Sequence, residues 1–179
     1  FKQMNAFNVQ PVEYTRISRS QACLLPNYLD SNDYDRSESE EKLFNLGIIG
    51  ILPSRKGYLN ALKLLKNLVN KNKKYRLYVY GKMPEELPWV KSNPTEMAYF
   101  NECKQFIKQN NLQKHVIIKG WVNVKTELKN IGFILSTSDN EEIPESFHIA
   151  PADGFSAGNQ GVLLDWNGVE YIYPKKYIF

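Results

Sequence analysis

From residue 46 to residue 164 the chain repeats one pattern: a short apolar run, a glycine or proline, then an amphipathic stretch of helical period. The first round is LGIIGIL at 46–52, closed by Pro53 as a buried strand should be. Tyr58, Leu59, Ala61, Leu62, Leu65, Leu68 and Val69 then fall at helical spacing, with Lys63, Lys66 and Asn67 opposite. YRLYVY at 75–80 reads as the second strand, ending at Gly81, and a proline-punctuated loop runs through Thr95. Met97, Phe100, Cys103, Phe106 and Ile107 mark the next amphipathic helix, and VII at 116–118 is a third strand ending at Gly120. Asn123 caps a short helix over 124–130, FIL at 133–135 is a fourth strand, and a helix over 151–157 with a strand at 162–164 closes the series. This alternation predicts an α/β fold, a Rossmann-like parallel sheet with helices on both faces.

A chain of 179 residues holds about one such domain. With 42% apolar and 23% charged residues it belongs to none of the collagen-like, low-complexity or wholly disordered classes. Residues 1–45 differ in texture from the rest. No clean period runs through Ala22, and SNDYDRSESEEK at 31–42 is polar and acidic enough for an exposed loop or linker. The expected organisation is a crossover or linker segment at 1–45 and the Rossmann-like domain at 46–179. No run of apolar residues is long enough to span a membrane, and the first residues lack the basic start and apolar stretch of a signal peptide. Cys23 and Cys103, 80 positions apart, suggest neither a disulfide scaffold nor a clustered metal site, so a reduced, cytoplasmic setting is the expectation.

The net charge of +4 is unevenly spread: eight basic residues and no acid lie between Arg55 and Arg76, and six acids lie between Asp30 and Glu41. A polarised molecule of this kind argues against general nucleic-acid binding. The aromatic residues, 13% of the chain, fall mostly at strand or helix-core positions. Neither G-x-G-x-x-G nor G-x-x-x-x-G-K-[ST] is present, which sets aside a dinucleotide oxidoreductase and a P-loop NTPase. Two histidines and two cysteines show no zinc spacing.

In an open parallel sheet, ligands bind outside the carboxyl ends of the strands. That rule selects the exits 50–57, 81–83, 120–123, 136–148 and 165–168. Glycines at four of them suit close backbone approach to a ligand, and taken singly each is also ordinary turn chemistry. The first exit carries Arg55 and Lys56 just before a helix. Helix N-terminal N–H groups favour an anion and a lysine adds a mobile charge for phosphate, while a solvated basic pair is the plain alternative. The fourth exit crowds Asp139, Glu141, Glu142 and Glu145, then leads through His148 and Pro151 to Asp153. Glu145 on the loop and Asp153 on the helix behind it can both accept hydrogen bonds from one polyhydroxy ligand; such carboxylates are also common on a solvated face.

In order along the chain, five further segments resemble those of retaining, group 1 glycosyltransferases of the GT-B architecture. They are LLPNYLD at 24–30, GILPSRKG at 50–57, LYVYG at 77–81, VIIKGWV at 116–122 and PESFHIAPADG at 144–154 followed by Ser156, Ala157 and Gly158. They are similar, respectively, to the family's IPNGVD, to its G-R-L-x-x-x-K-G, to its second and third strands, and to its E-G-F-G-L-x-x-x-E-A-M-A-x-G. The resemblance implies that this is the C-terminal, nucleotide-sugar-binding half of such an enzyme. Lys56, with Arg55, would then pair with donor phosphates. The backbone around Ser146, Phe147 and His148 would cradle the diphosphate and sugar, Glu145 would contact the transferred sugar, and Asp153 would take the place of the ribose-binding acid. The turn Gly120-Trp121-Val122 would lie against the base. Glu145 and Lys56 carry the catalytic roles in this assignment, through electrostatic help to a departing nucleoside diphosphate. No metal or other cofactor is implied.

The chain departs from the family at three of these positions. Ile51 stands where the family has a phosphate-binding arginine, Asp153 is one methylene shorter than the expected glutamate, and His148 replaces a small residue, where it either donates to phosphate or packs. The implied partners are a nucleotide-sugar donor and a glycan or lipid-linked acceptor held by a second, N-terminal domain not contained in 179 residues, so these residues alone are expected not to transfer sugar. A second reading is a non-catalytic nucleotide- or sugar-phosphate-binding module of the same fold. A third is a peripheral contact of the 55–76 basic stretch with an anionic membrane surface.

Overall fold

The computed structural model describes residues 29–138, 148–166 and 168–179. In chain order they form β1 (Asn45–Ile49), α1 (Tyr58–Lys71), β2 (Arg76–Tyr80), α2 (Pro88–Lys91), α3 (Pro94–Gln109), β3 (Val116–Gly120), α4 (Val124–Glu127), β4 (Phe133–Ser136), α5 (Ile149–Ser156) and β5 (Gln160–Leu163). The strands pair in the order β3-β2-β1-β4-β5, each parallel to its neighbour. Leu46 and Ile48 of β1 stand beside Leu77 and Val79 of β2 on one side, and beside Phe133 and Leu135 of β4 on the other. The α/β expectation is met: a five-stranded parallel sheet is covered by helices.

The pleat sends alternate side chains to opposite faces. Leu77, Val79 and Leu135 join the core that α1 and α3 cover, through Leu62, Leu65 and Phe100. Tyr80 and Ile134 face the other way, into a cluster with Tyr34, Leu128, Ile131 and Ala157. Cys103 lies in the first core, where burial pushes its thiol up to about 12, so it packs as a small apolar group. Helix α1 owes its length to the spacing of Ala61, Leu62, Leu65 and Val69, all buried, and Asn72 ends it in an extended conformation. Asn93 starts α3: its side chain accepts from the N–H groups of Thr95 and Glu96, and Pro94 occupies the first turn, where no N–H is needed.

Three local features differ from the sequence expectation. Residues 82–95 contain two short helical turns, Pro84–Glu86 and Pro88–Lys91, each begun by a proline whose fixed φ suits the first helical position. Helix α5 begins at Ile149, two residues before the expected start, because Pro151 falls within the first turn. Strand β5 begins at Gln160, since Gly161, silent in hydropathy, pairs with Ile134.

Within the acidic stretch 31–42, Tyr34 is 6% exposed while its neighbours stay at the surface. The stretch is tied down on both sides of that tyrosine: Lys125 pairs with Asp33 at 2.6 Å and Lys129 with Asp35 at 2.8 Å. The Asp35 N–H donates to the Lys125 carbonyl at 2.9 Å, and Arg36 Nε donates to the Ser156 carbonyl at 3.1 Å. Among the described residues no helix is long and apolar enough to cross a membrane.

Candidate functional site

Strand order reverses between β1 and β4, and in this kind of sheet a ligand crevice opens where the connections on either side of such a point diverge. Beyond β1 the chain passes a cis Leu52–Pro53 bond and forms the 3-10 turn Ser54–Lys56, then Gly57, then α1. Glu96 of α3 holds the start of the turn, accepting from Ser54 N–H at 2.8 Å and from the Ser54 hydroxyl at 3.0 Å. Thr137, just past β4, holds its end, donating its hydroxyl to the Gly57 carbonyl at 2.9 Å and sharing it with the Lys56 carbonyl at 3.2 Å. Gly57 has φ +70°, a conformation in which glycine carries no side-chain penalty. The backbone of Lys56 is thus fastened to the exit of β4 across the switch point.

The β4 exit is polar and buried. Ser136, Thr137 and Ser138 are each no more than 5% exposed. Ser136 Oγ lies 2.7 Å from His148 Nδ1 and accepts from Trp166 Nε1 at 3.3 Å. An indole N–H only donates, which leaves the Ser136 proton available to His148 Nδ1. The Tyr173 hydroxyl donates to the His148 carbonyl at 2.6 Å. His148, the residue that precedes α5, is therefore held by its ring and its backbone, and it is 5% exposed.

The exits of β1, β2 and β3 stand level. Gly50 N–H donates to Tyr80 O at 2.8 Å and Gly81 N–H to Gly120 O at 2.8 Å, extending the ladder one step past the strands. At the far end, after Gly120, Trp121 is 81% exposed and Val122 packs against the second core. Two strand spacings, about 10 Å, separate this turn from the β1 exit. Met83 and Pro84 follow β2. They roof an apolar cavity of about 310 Å³ between Tyr58, Phe100, Ile107 and the β3 edge.

Asp153 lies on the second turn of α5, 8% exposed, with its Oδ1 accepting from the Tyr34 hydroxyl at 2.5 Å. Burial raises the carboxyl above its ordinary range, outweighing the Tyr34 hydrogen bond and the nearby Lys125 charge, which pull it down. The same burial, with Asp153 adjacent, pushes the Tyr34 phenol far up, so the hydroxyl keeps its proton and donates.

Of the residues singled out in the sequence, Arg55 and Lys56 lie on the turn that Thr137 fastens and His148 is bonded to Ser136, on the two exits that flank the switch point. Gly120, Trp121 and Val122 lie at the sheet edge, and Asp153 sits on α5 against Tyr34. Glu145, Ser146 and Phe147 lie outside the described residues, as do the neighbouring acids 139–142 and most of the 24–30 motif. Ile51, at the position that lacks the family's arginine, is 1% exposed and packs in the first core. Sequence reasoning did not single out Tyr34, Glu96, Ser136, Thr137, Trp166 or Tyr173. The signal available for them was weak, a polar or amphipathic residue next to a strand exit or in a polar run.

No protein-family model matches the chain, and no curated protein sequence does. Solved structures do. A glycosyltransferase from Rickettsia africae superposes with a TM-score of 0.67 at 17% identity over 92% of this chain and 44% of its own. The C-terminal domain of the group 1 family glycosyl transferase LpcC from Francisella tularensis gives 0.63 at 14% identity over 85% of this chain and 80% of its own. Anabaena HepE, solved in complex with UDP and glucose, gives 0.64 at 18% identity over 81% of this chain and 38% of its own. The chain spans 30% of S. aureus TarM, which it also matches. The fold is therefore that of the C-terminal domain of GT-B glycosyltransferases.

Proposed function

We propose that this chain, which carries the C-terminal fold of the GT-B glycosyltransferases, is the donor-binding domain of a retaining enzyme of that class. It takes a sugar from a nucleoside-diphosphate sugar to a hydroxyl of a glycan or lipid-linked acceptor. The observation that supports this best is the clamp from Thr137 to the carbonyls of Lys56 and Gly57. It fixes a cationic loop and the N-terminus of α1 beside the exit of β4, where an incoming diphosphate meets positive ends from both sides.

In this reading Lys56 and Arg55 neutralise the diphosphate, and the N-terminus of α5 with the preceding backbone of Ser146, Phe147 and His148 cradles it. Glu145 contacts the transferred sugar, Asp153 accepts from the ribose hydroxyls, and the Gly120-Trp121-Val122 turn lies against the base. Charge developing on the departing diphosphate is stabilised by Lys56 and by donors already in place, so little reorganisation accompanies bond breaking. The acceptor is held by a second domain facing this one, which also excludes water; these residues alone bind donor without turning it over. With the leaving charge carried by side chains and helix ends, nucleotide affinity does not depend on a divalent cation.

The test is calorimetric titration of the chain with UDP, GDP and ADP, with and without EDTA, beside Lys56→Ala. We expect micromolar to low-millimolar binding of one nucleotide, unchanged by EDTA. Loss of one charge-assisted hydrogen bond, roughly 1.5–3 kcal/mol, weakens it about 10- to 150-fold in the variant. A folded chain that binds none of the three overturns the reading. A specific observation favours one alternative. With Ile51 buried where the family has an arginine, the site holds less phosphate-binding charge than an active relative, as a non-catalytic module of the same fold would. Donor binding without transfer by the whole protein would select that alternative.

A further inference from the structure

The side chain of Asp153 has a single hydrogen-bond partner among the described residues, the Tyr34 hydroxyl, 119 positions earlier in the chain. That hydroxyl is a fixed point. The Tyr34 ring packs in the second core with Leu128, Ile131 and Ala157, and the Lys125 ammonium lies 5.7 Å from its centroid. The residues on either side are anchored independently, Asp33 through Lys125, Asp35 through its N–H, and Arg36 through the carbonyl that ends α5. Asp153 is the short acid, and on a helix its carboxylate reaches few places. Its orientation about χ2 is set by whatever donor meets it. A carboxylate oxygen has two lone pairs and the group has two oxygens, so accepting from Tyr34 leaves three sites, enough for two further hydroxyl donors.

We infer that Tyr34 is a positioning residue of the nucleotide site: its hydroxyl holds the Asp153 carboxylate in the orientation that accepts from vicinal hydroxyls of the donor's ribose. This rests on the proposed donor-binding function. It makes the segment around Tyr34 a working part of the site although it precedes the first strand. The hydroxyl supplies what the missing methylene of Asp153 does not, a fixed placement for an acid that sits one bond further back.

Discrimination between sugars separates this role from a structural one. Wild type, Tyr34→Phe and Asp153→Asn are titrated with whichever of UDP, GDP or ADP the wild type binds, and with its 2′,3′-dideoxy analogue; thermal melts accompany each. Phenylalanine keeps the ring in its cluster and removes one oxygen. Asparagine still accepts from Tyr34 but is a poorer partner for hydroxyl donors. Wild type should prefer the ribonucleotide by about tenfold or more, and Tyr34→Phe should lose about fivefold affinity for it while binding the dideoxy analogue within about twofold of wild type. Asp153→Asn should lose most of the preference. Equal losses for both nucleotides in Tyr34→Phe, or an unchanged preference in either variant, would overturn the assignment and leave the donor-binding function standing. A folded wild type that binds none of the nucleotides would remove both.

Discussion

The carbonyl oxygen of Thr137 lies 1.6 Å from the point where a Cβ on Gly57 would stand, while the hydroxyl of the same threonine donates to the Gly57 carbonyl at 2.9 Å. The two exits that flank the switch point therefore meet backbone to backbone, at a separation only a glycine permits. Gly57→Ala should be one of the most damaging single-methyl changes in the domain. A left-handed φ costs a non-glycine residue roughly 1–2 kcal/mol, and a clash with backbone cannot be relieved by turning a side chain. We expect at least about 2 kcal/mol of lost stability in denaturant melts, with nucleotide affinity falling further because Lys56 moves with the loop. An alanine variant as stable as wild type would show that the two exits are not in contact in solution.

Thr137 itself offers a milder test of the same clamp. Thr137→Val keeps the shape and removes the hydroxyl. The Gly57 carbonyl still accepts from the N–H groups of Asn60 and Ala61, so the change is the loss of one hydrogen bond, worth about 0.5–1.5 kcal/mol. Thr137→Ser restores the donor and loses one methyl. The serine variant should recover most of the stability, and nearly all of the nucleotide affinity, that valine loses. Equal affinity for nucleotide in the valine and serine variants would mean that the hydroxyl does not position Lys56.

The contrast between these two exits and the rest of the site indicates what a sequence discloses. The sheet was legible because its signal is local. Leu77 and Val79 alternate with Tyr78 and Tyr80, and each strand is followed by a helix of regular period. Lys56 and Asp153 were singled out through resemblance, as members of ordered motifs. The polar chain Trp166–Ser136–His148–Tyr173 was not, because its partners lie 12, 25 and 30 positions apart and nothing in the intervening sequence records which hydroxyl meets which ring. Tyr34 was hidden in another way. It sits in a run whose average character is acidic and exposed, and an average conceals one buried residue. Gly161 shows the same limit in a strand: its missing side chain reads as a break, whereas a Cβ there would come within 2.6 Å of the Phe155 ring.

Trp121 is the large aromatic residue most exposed among the described residues, at 81%, and it stands at the exit of β3. An indole left in water at that place contributes almost nothing to folding, so Trp121→Ala should leave stability within about 0.5 kcal/mol of wild type. If the indole or its turn lies against the base, truncation should still weaken nucleotide binding. Base–aromatic stacking is worth roughly 1–3 kcal/mol, or about 5- to 150-fold. Ribose 5′-diphosphate, which has no base, should bind both proteins alike. Unaltered affinity for the full nucleotide would remove the β3 turn from the site.

Asp153 predicts a stability profile of unusual sign. Carboxylates held by ion pairs or hydrogen bonds usually have lowered values and stabilise a fold above their titration range, whereas burial holds this one above the ordinary aspartate range. The folded chain then binds the Asp153 proton more tightly than the unfolded chain does. Between the ordinary aspartate value and the raised one, stability from this group falls as pH rises, and above that window the folded state carries the full desolvation penalty of the ionised form. Asp153→Asn removes the charge and keeps an oxygen to accept from Tyr34. At pH 7 the variant should melt at or above the wild-type temperature, and the difference should shrink as pH is lowered through the window, where wild-type Asp153 itself becomes neutral. Thermal melts of both proteins across pH 3 to 8 would show this. A variant less stable than wild type at pH 7, with the gap closing on acidification, would mean that attraction to Lys125 and the Tyr34 hydrogen bond outweigh burial.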